Sequence, residues 1–347
     1  MKSPLTVISD PHFHVYKTHA TIEGGINSRQ LHIETAVVDA VKAGASRGSR
    51  ILVITGDIFH IRGSLKTTTF NRVFDLFSRI ARSGWKIVMI PGNHDMEDFR
   101  GGYTAIDTLG EIKGCYVLRG FDGFARLEVD DWKFLGFQYV HKPDEFKEKF
   151  VEGHKFFGDI DKDHVILIHQ GLSDFDSTGH ASQVSCEWLR QNTPGTIVCG
   201  HFHGPECNKL DRILQPGAPL QHSFGDEGSD RGCWIVREDQ GPEFVPLASP
   251  KFITVRTKKD LDQVSGNFVR VQCKTMKTAK ALSTEAMNLG ALDVTVQVDK
   301  EFTTAHEVTV KINSDPKRML ADYMAIFSDK YAGQESKVLS LYEKICL

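Results

Sequence analysis

Five short apolar segments, each followed at once by polar residues, constrain the fold of this 347-residue chain more than any other feature. They read LTVIS, ILVIT, IVMI, VILI and TIVC, and they begin at residues 5, 51, 87, 165 and 196. Apolar runs of this length, rich in β-branched residues, are typical of strands buried on both faces of a sheet. Helical segments separate several of these runs, so the sequence predicts an α/β domain with right-handed crossovers.

Two helices are predicted between the first three strands. The first covers residues 29–43, with Ser28 as its N-cap. The second lies in TTTFNRVFDLFSRIARSG, where apolar residues recur on one helical face and Gly84 ends the helix. After Cys115 the pattern changes to strands joined by turns. A further change near residue 250 indicates a small β-α-β unit.

These changes predict three domains, at residues 1–250, 251–313 and 314–347. The last is expected to be a helical tail in which Asp315 is the cap and Pro316 the first helical residue. Its apolar face is formed by Met319, Leu320, Tyr323, Ile326 and Phe327. Such a face either packs on the chain's own core or binds a partner helix.

Composition and charge exclude several classes of protein. A net charge of −3 does not suggest a chain coated by nucleic acid, although a binding groove needs only local Lys and Arg. The N-terminal apolar run is too short for a secretory signal, and no stretch approaches the length of a membrane span. The 7 cysteines lack C-x-x-C spacing, which favours reduced thiols and a cytoplasmic protein over a disulfide framework.

Residue types that bind metal ions follow each predicted strand. The polar segments are DPHFH, GDIFH, GNHD, a histidine directly after VILI, and GHFH. The candidate ligands are Asp10, His12, Asp57, Asn93, His169, His201 and His203. Because the carboxyl ends of strands in an α/β sheet converge on one crevice, we expect these side chains to meet there.

Each residue taken singly has an ordinary explanation. A lone histidine at a strand end is usually a hydrogen-bonded loop residue, and a lone Asp or Asn caps a helix or forms a turn. Clusters after five consecutive apolar strands favour a shared site instead. The histidines without such support are interpreted as ordinary; they are His14, His19, His32 and His222.

The ligand types indicate the metal and the chemistry. Carboxylate, imidazole and amide without thiolate suit Mn²⁺, Fe²⁺ or Zn²⁺. The set is too large for one tetrahedral ion, and it fits two ions that share Asp57. Two ions roughly 3.5–4 Å apart stabilise both the attacking and the leaving oxygen of a phosphoryl displacement. The sequence therefore predicts hydrolysis of a phosphate ester.

The motifs D-x-H, G-D-x-x-H, G-N-H-D, a strand-end H and G-H-x-H, in this order over residues 5–205, resemble those of the calcineurin-like metallophosphoesterase superfamily. Within it, the chain is most similar to the SbcD family, the nuclease subunits of the DNA double-strand-break repair complex. This narrower resemblance is carried by His60, by GNHD where protein phosphatases have G-N-H-E, and by LQPGAPLQHSFGDEGSDRGCWIV. The implied fold is a four-layer α/β/β/α sandwich with a small α/β capping domain and a C-terminal helical tail.

The resemblance also implies a role for each motif residue. One ion would be held by Asp10, His12, Asp57 and His203, and the other by Asp57, Asn93, His169 and His201. His94 would be a catalytic histidine that faces the scissile phosphate, and His60 an auxiliary catalytic histidine. Asp95 is expected to orient His94 or to cap the following segment. The chain departs from the family at Phe13-His14, in HIRGS and at Ala218, which affects the expected substrate path rather than the metal site.

The leading hypothesis is a Mn²⁺-dependent DNA exonuclease or endonuclease that acts as a homodimer in DNA repair and recombination. The resemblance implies a coiled-coil ABC ATPase of the SbcC type as its partner, bound through the C-terminal helices. One alternative is a phosphodiesterase or phosphatase for a small molecule or phosphoprotein, although the arginine-bearing G-D-x-x-D-R-G motif of protein phosphatases is absent. Another is a DNA-end tether with a vestigial metal site, against which the complete ligand set argues.

Overall fold

The computed structural model describes residues 2–98, 102–120, 122–175, 184–208 and 212–298, together with residues 320, 324, 337, 338 and 340. Contacts divide the chain into two units, Met1–Val298 and Asp299–Leu347. The predicted helices of the tail lie almost entirely outside the described residues. The domain boundaries at residues 250 and 313 remain predictions.

The described residues form strands, several of which are connected by helices. The strands are β1 (Leu5–Ile8), β2 (Ile22–Glu23), β3 (Ile26–Asn27), β4 (Ile51–Ile54), β5 (Lys86–Met89), β6 (Cys115–Val117), β7 (Phe124–Val129), β8 (Trp132–Phe137), β9 (His164–His169), β10 (Thr196–Gly200), β11 (Glu206–Asn208), β12 (Ile213–Gln215), β13 (Gly232–Val236), β14 (Glu243–Pro246), β15 (Phe252–Val255), β16 (Phe268–Cys273) and β17 (Asp293–Val298). The helices are α1 (Ser28–Ala45), α2 (Thr67–Arg82), α3 (Pro143–Phe157), α4 (Cys186–Asn192) and α5 (Met276–Asn288). No helix in the described part of the chain is both long and apolar enough to cross a bilayer.

Two six-stranded sheets form the centre of the larger unit. The first has the order β14-β13-β1-β4-β5-β6, and β1, β4, β5 and β6 run parallel. The second has the order β11-β12-β10-β9-β8-β7, and β12, β10, β9 and β8 run parallel. Because each sheet has a parallel core, the loops after its central strands leave at one edge.

Alternating side chains join these sheets into layers. Ile51 and Val53 of β4 pack between the two sheets, in one core cluster with Leu167 of β9. Leu52 and Ile54 face the other way, into a cluster that includes residues of α1 and α2. A third cluster lies between the second sheet and helices α3 and α4. The strands are therefore buried on both faces, and the predicted four-layer α/β/β/α sandwich is confirmed.

The start of α1 differs from the prediction by one residue. The N-cap is Asn27, whose Oδ1 accepts a hydrogen bond from the backbone N–H of Gln30 at 3.3 Å. Ser28 is the first helical residue, and its hydroxyl instead accepts from the backbone N–H of Thr21 at 3.0 Å. Asn and Ser are both good N-cap residues, so residue type does not decide between Asn27 and Ser28. Asn27 is the cap because the Ser28 hydroxyl is already bound to Thr21, a contact that the local sequence does not show.

A small three-stranded parallel sheet, in the order β15-β16-β17, lies near the end of the larger unit. Helix α5 connects β16 to β17, and its buried face packs with the sheet in a separate apolar cluster. The β-α-β unit predicted after residue 250 is present, and β15 adds a third strand to it. For brevity, residues 252–298 are called the small α/β unit.

One buried cation links the small α/β unit to the sandwich. Arg29 of α1 is 1% exposed, and its guanidinium lies over the rings of Tyr16, Phe252 and Phe268 at 4.5, 5.1 and 5.1 Å. Its Nη2 donates to the backbone carbonyl of His222 at 2.9 Å. Three aromatic faces and one carbonyl thus replace the water that a guanidinium normally binds.

Candidate metal centre and active site

The predicted ligands meet at one edge of the stacked sheets. They follow β1, β4 and β5 of the first sheet and end or follow β9 and β10 of the second. Most are deeply buried: Asp10 and His169 are 0% exposed, and Asp57 is 2% exposed. The structure therefore brings together Asp10, His12, Asp57, Asn93, His169, His201 and His203.

The backbone of this region is strained. Asp10, His12 and Asp57 have φ values of 51°, 53° and 51°, and His201 has a φ of 116°. Non-glycine residues held at such angles typically cost about 1–3 kcal/mol each and cluster at functional sites. Backbone hydrogen bonds hold the strained loops together, from Asp10 to Gly56 at 3.1 Å and from His12 to Asp57 at 3.0 Å.

Two glycines allow the loops to approach one another closely. A Cβ at Gly92 would lie 2.3 Å from Asp57 Oδ1, and one at Gly200 would lie 2.0 Å from the carbonyl oxygen of Thr55. Both contacts are far shorter than a side chain tolerates, and the second is with rigid backbone. The glycines of GNHD and GHFH are therefore needed for space.

The first group of ligand atoms contains Asp10, His12 and His203, whose donor atoms all lie within 4.8 Å of one another. The Nε2 atoms of His12 and His203 face each other at 3.2 Å. His12 Nε2 also lies 3.9 Å from Asp10 Oδ1 and 3.8 Å from Asp57 Oδ2. These atoms surround a point that one cation could occupy.

The second group lies on the other side of Asp57. His169 Nε2 is 3.4 Å from Asp57 Oδ2 and 3.1 Å from Asn93 Oδ1. His201 Nδ1 is also 3.1 Å from Asn93 Oδ1. Asp57 thus contacts both groups, as its expected sharing requires. The assignment of each ligand to one of two ions remains a prediction.

The carboxylate of Asp10 tests whether a cation fits this centre. Its Oδ2 accepts a hydrogen bond from the backbone N–H of His201 at 3.1 Å. Its Oδ1 is buried and has no hydrogen-bond partner among the described residues. A buried polar atom left without a partner costs about 1–3 kcal/mol, and more when it is charged. The residues therefore fit divalent ions, which when bound would neutralise the carboxylates and stabilise charge on a phosphoryl group.

Without a cation, protons balance the charge of the centre. Burial lowers the pKa of His169, but the neighbouring Asp57 carboxylate outweighs burial and raises that pKa to about 9. Burial correspondingly acts to raise the pKa of Asp57, but His169 holds it well below its usual range. Burial raises the pKa of Asp10 more than the charge of His169 lowers it.

Three other imidazoles in or beside the centre, those of His12, His201 and His60, have lowered pKa values and are neutral at neutral pH. Burial lowers the pKa of His12 far below its ordinary value. Burial and the charge of His169 lower the pKa of His201 to about 4, and burial and the neighbouring His94 do the same for His60. The neutral ring is the form that binds a metal ion, so these residues need lose no proton to do so.

The two predicted catalytic histidines form a stacked pair beside the predicted metal ligands. The ring centroids of His60 and His94 are 5.5 Å apart, with 13° between the ring planes. His94 Nδ1 donates to the backbone carbonyl of His60 at 2.5 Å, and the backbone N–H of His94 donates to Asp57 Oδ1 at 2.7 Å. Because Nδ1 is used in this way, Nε2 is the ring atom left for a substrate.

Asp95 does not orient His94, and this prediction was wrong. Its buried carboxylate accepts hydrogen bonds from the backbone N–H groups of Ile58, Phe59 and Gly92, at 3.2, 2.9 and 3.0 Å. It therefore ties the GDIFH loop to the GNHD loop. Burial and the charge of Asp57 raise the pKa of Asp95 to about 7.

Residues beyond the strand ends also support the centre. His222, interpreted from sequence as ordinary, lies with its ring centroid 5.2 Å from that of His12, and its Nε2 donates to the backbone carbonyl of Asp10 at 2.9 Å. Asp226 Oδ1 lies 3.7 Å from His203 Nδ1. Both belong to the segment HSFGD, which follows no predicted strand. The one sequence signal for a role of HSFGD beside the metal centre is that it lies within LQPGAPLQHSFGDEGSDRGCWIV, the stretch that resembles the SbcD family.

The sequence profile of the calcineurin-like phosphoesterases matches residues 3–205 of this chain. The match covers more than half of the chain, which therefore belongs to this family. With the carboxylate and imidazole centre described above, the chain is a metal-dependent phosphoesterase.

Individual relatives are distant. A protein of Invertebrate iridescent virus 3, named "Putative phosphoesterase 078R", is 22% identical over 267 residues, which are 75% of this chain and 70% of the viral one. A dimetal phosphatase from Danio rerio is 11% identical with a TM-score of 0.42, over 68% of this chain and 92% of that one. YfcE, a phosphoesterase from E. coli, is 14% identical with a TM-score of 0.34, over 68% and 89%.

Proposed function

We propose that this chain is a Mn²⁺-dependent DNA nuclease of the SbcD type, an exonuclease or endonuclease that hydrolyses phosphodiesters in DNA repair and recombination. The observation that carries the proposal is the His60–His94 pair. The third residue after Asp57 is a histidine whose pKa is lowered to about 4 by burial and by His94, so the ring is neutral at pH 7. A phosphodiester has one negative charge, whereas a phosphate monoester has nearly two. A neutral ring at this position suits the diester better than a guanidinium would.

Exposed lysines beside the centre support a polyanionic substrate. The ring centroid of His14 lies 5.3 Å from that of His60. Burial lowers the pKa of His14, and the positive charges of Lys66 and Lys17 lower it further, so both ammonium groups are near this ring. Lys17 and Lys66 are exposed. Exposed lysines neutralise phosphates of a bound nucleic acid, so these two favour a polyanionic substrate.

The chain's own residues divide the work of hydrolysis. Asn93 offers an uncharged oxygen, which binds a cation without adding to the charge of Asp57. His94, held by the carbonyl of His60, presents Nε2 to the scissile phosphate and, when protonated, donates that proton to the leaving oxygen. The chemistry supplied by bound divalent ions is activation of water and stabilisation of the phosphoryl charge.

The proposed partners are DNA, a second copy of the chain and an SbcC-type ATPase that binds the C-terminal helices. Deleting the residues after Ser314 should abolish co-purification with such an ATPase and leave Mn²⁺-dependent hydrolysis intact. Loss of soluble protein on deletion would indicate instead that the tail packs on its own chain.

The alternative function is a phosphodiesterase or phosphatase for a small molecule or phosphoprotein. It is favoured by the viral relative, whose name gives a phosphoesterase without a nucleic-acid substrate. The metal centre suits both functions, so the substrate must distinguish them.

A substrate comparison tests the proposal. The purified chain, with Mn²⁺ or with Mg²⁺, should hydrolyse linear duplex DNA and bis(nitrophenyl) phosphate much faster than nitrophenyl phosphate. Lys17→Glu with Lys66→Glu should slow DNA hydrolysis and leave bis(nitrophenyl) phosphate unaffected. Lys277→Glu, on the exposed face of α5, is the matched control. Equal effects on both diesters, or a preference for the monoester, would favour the alternative.

A further inference from the structure

His203 presents its two ring nitrogens to different partners. Its Nε2 faces the metal centre, 3.2 Å from His12 Nε2. Its Nδ1 faces the carboxylate of Asp226, at 3.7 Å from Oδ1. An ion on Nε2 requires the ring proton to be on Nδ1, where it points toward this carboxylate.

Asp226 is itself held firmly in place. Arg231 Nη2 donates to its Oδ1 at 2.9 Å, and the side chain of Arg231 is 5% exposed. The backbone N–H groups of His222 and Ser223 donate to its Oδ2 at 2.7 and 3.1 Å. A carboxylate with this many partners has a fixed orientation, so it can fix the ring that it faces.

The same segment supports the neighbouring metal ligand. His222 is the residue whose backbone N–H binds Asp226, and its Nε2 donates to the backbone carbonyl of Asp10 at 2.9 Å. Asp10 has a strained backbone, with a φ of 51°. Residues 222–231 thus contact all three members of the Asp10–His12–His203 group: His203 and His12 through their rings, and Asp10 through its backbone.

We propose that Asp226 is a positioning residue that sets the metal affinity of the Asp10–His12–His203 group through Nδ1 of His203. A carboxylate on the far nitrogen of a metal-binding histidine fixes its tautomer and raises its basicity, and loss of such a partner typically costs about 10–100-fold in affinity. The inference depends on the metal centre and not on DNA as the substrate. It therefore stands or falls separately from the proposed nuclease activity.

Asp226 also has a purely structural task, from which the proposed role must be separated. Together with Ser223 it forms a capping box around the short turn Phe224–Asp226, and Ser223 Oγ accepts from the backbone N–H of Gly225 at 3.1 Å. Ser223→Ala removes the hydroxyl half of this box and leaves the carboxylate facing His203. It is the matched control for the loss of the cap.

The experiment is a Mn²⁺ titration of the full metal-free chain, followed by calorimetry and by the electron paramagnetic resonance signal of free Mn²⁺. Asp226→Asn should weaken one ion about 10–100-fold and leave the other within about twofold. Asp226→Glu should recover part of the lost affinity, and Ser223→Ala should bind as the parent does. Unchanged affinity in Asp226→Asn, or an equal loss in Ser223→Ala, would overturn the proposal.

A second variant covers the case in which Asp226→Asn does not fold because Arg231 is left buried without its partner. Asp226→Asn combined with Arg231→Met removes the pair together, which is commonly far less destabilising than breaking it. This double variant should show the same weakened ion. If it folds and binds Mn²⁺ as tightly as the parent, Asp226 has no influence on the metal.

Discussion

Raising the pH from 7 to 9 should strengthen metal binding by the metal-free chain, because His169 must lose a proton before its Nε2 can bind an ion. Burial alone would keep this ring neutral. The carboxylate of Asp57, 3.4 Å from Nε2, outweighs burial and raises the pKa to about 9. The proton and the metal ion therefore compete for the same nitrogen atom.

The size of the effect follows from that pKa. With a pKa of about 9, roughly one ring in 100 is neutral at pH 7 and roughly one in 10 at pH 8. Affinity for the ion that His169 binds should therefore rise about tenfold per pH unit and level off near pH 9. Between pH 7 and the plateau the binding free energy should become more favourable by about 2.7 kcal/mol, which corresponds to about 100-fold in affinity.

The assay is calorimetric titration of the EDTA-treated chain at pH 7 and pH 8, each in two buffers with different enthalpies of ionisation. The difference between buffers gives the number of protons released, which should be close to one for His169. Asp57→Asn removes the main cause of the raised pKa, so its weaker binding should depend less on pH. Release of no protons at pH 7, or equal affinity at both pH values, would refute this explanation of the centre.

Three further predictions concern single residues and pH. Asp57→Asn removes the charge shared by both ligand groups, so metal stoichiometry and hydrolysis should fall together; two tightly bound ions in this variant would contradict the shared position. His94→Gln should slow DNA cleavage about 10²–10⁴-fold in single-turnover assays at unchanged metal occupancy, with His32→Gln as the control, whereas a loss of metal would make His94 a ligand. In urea unfolding of the metal-free chain, the free energy of unfolding should rise from pH 4 to about 6.5. Over this range the unfolded state binds more protons than the folded state, because three histidines have a lowered pKa when folded: His60, His201 and His222. The free energy of unfolding should then fall between pH 7 and 9, because protonated His169 stabilises the folded state and loses its proton as the pH approaches its raised pKa. A free energy of unfolding that rises steadily to pH 9 would contradict the Asp57–His169 pairing.

The positions of the strands and of the predicted ligands could be read from sequence because both depend on local pattern. An apolar run such as Ile51–Ile54 has no polar face, so it predicts a strand buried on both faces, as the structure shows. The polar residues that directly follow such a run can be read from the sequence. In an α/β sheet the edge at which those residues meet is fixed by strand direction. Fold and ligand cluster were therefore predictable together.

Contacts between distant parts of the chain were not predictable in this way. Asp95 is two residues after Asn93, but its partners Ile58 and Phe59 lie 37 and 36 residues away. His222 binds a carbonyl that is 212 residues away. A histidine that binds backbone and one that binds metal have the same local sequence signal, and only the tertiary structure separates them.

The buried Arg29 determines how freely parts of this protein can be exchanged between relatives. Its guanidinium is covered by Phe252 and Phe268 of the small α/β unit, and its hydrogen bond goes to His222, beside the predicted metal ligands. A chimera that received a foreign small unit without matching aromatic residues would bury an uncovered positive charge next to the catalytic loops. Chimeras in which Tyr16, Arg29 and residues 221–298 all come from the same parent should keep phosphoesterase activity. Chimeras that take some of these residues from one parent and some from another should lose that activity.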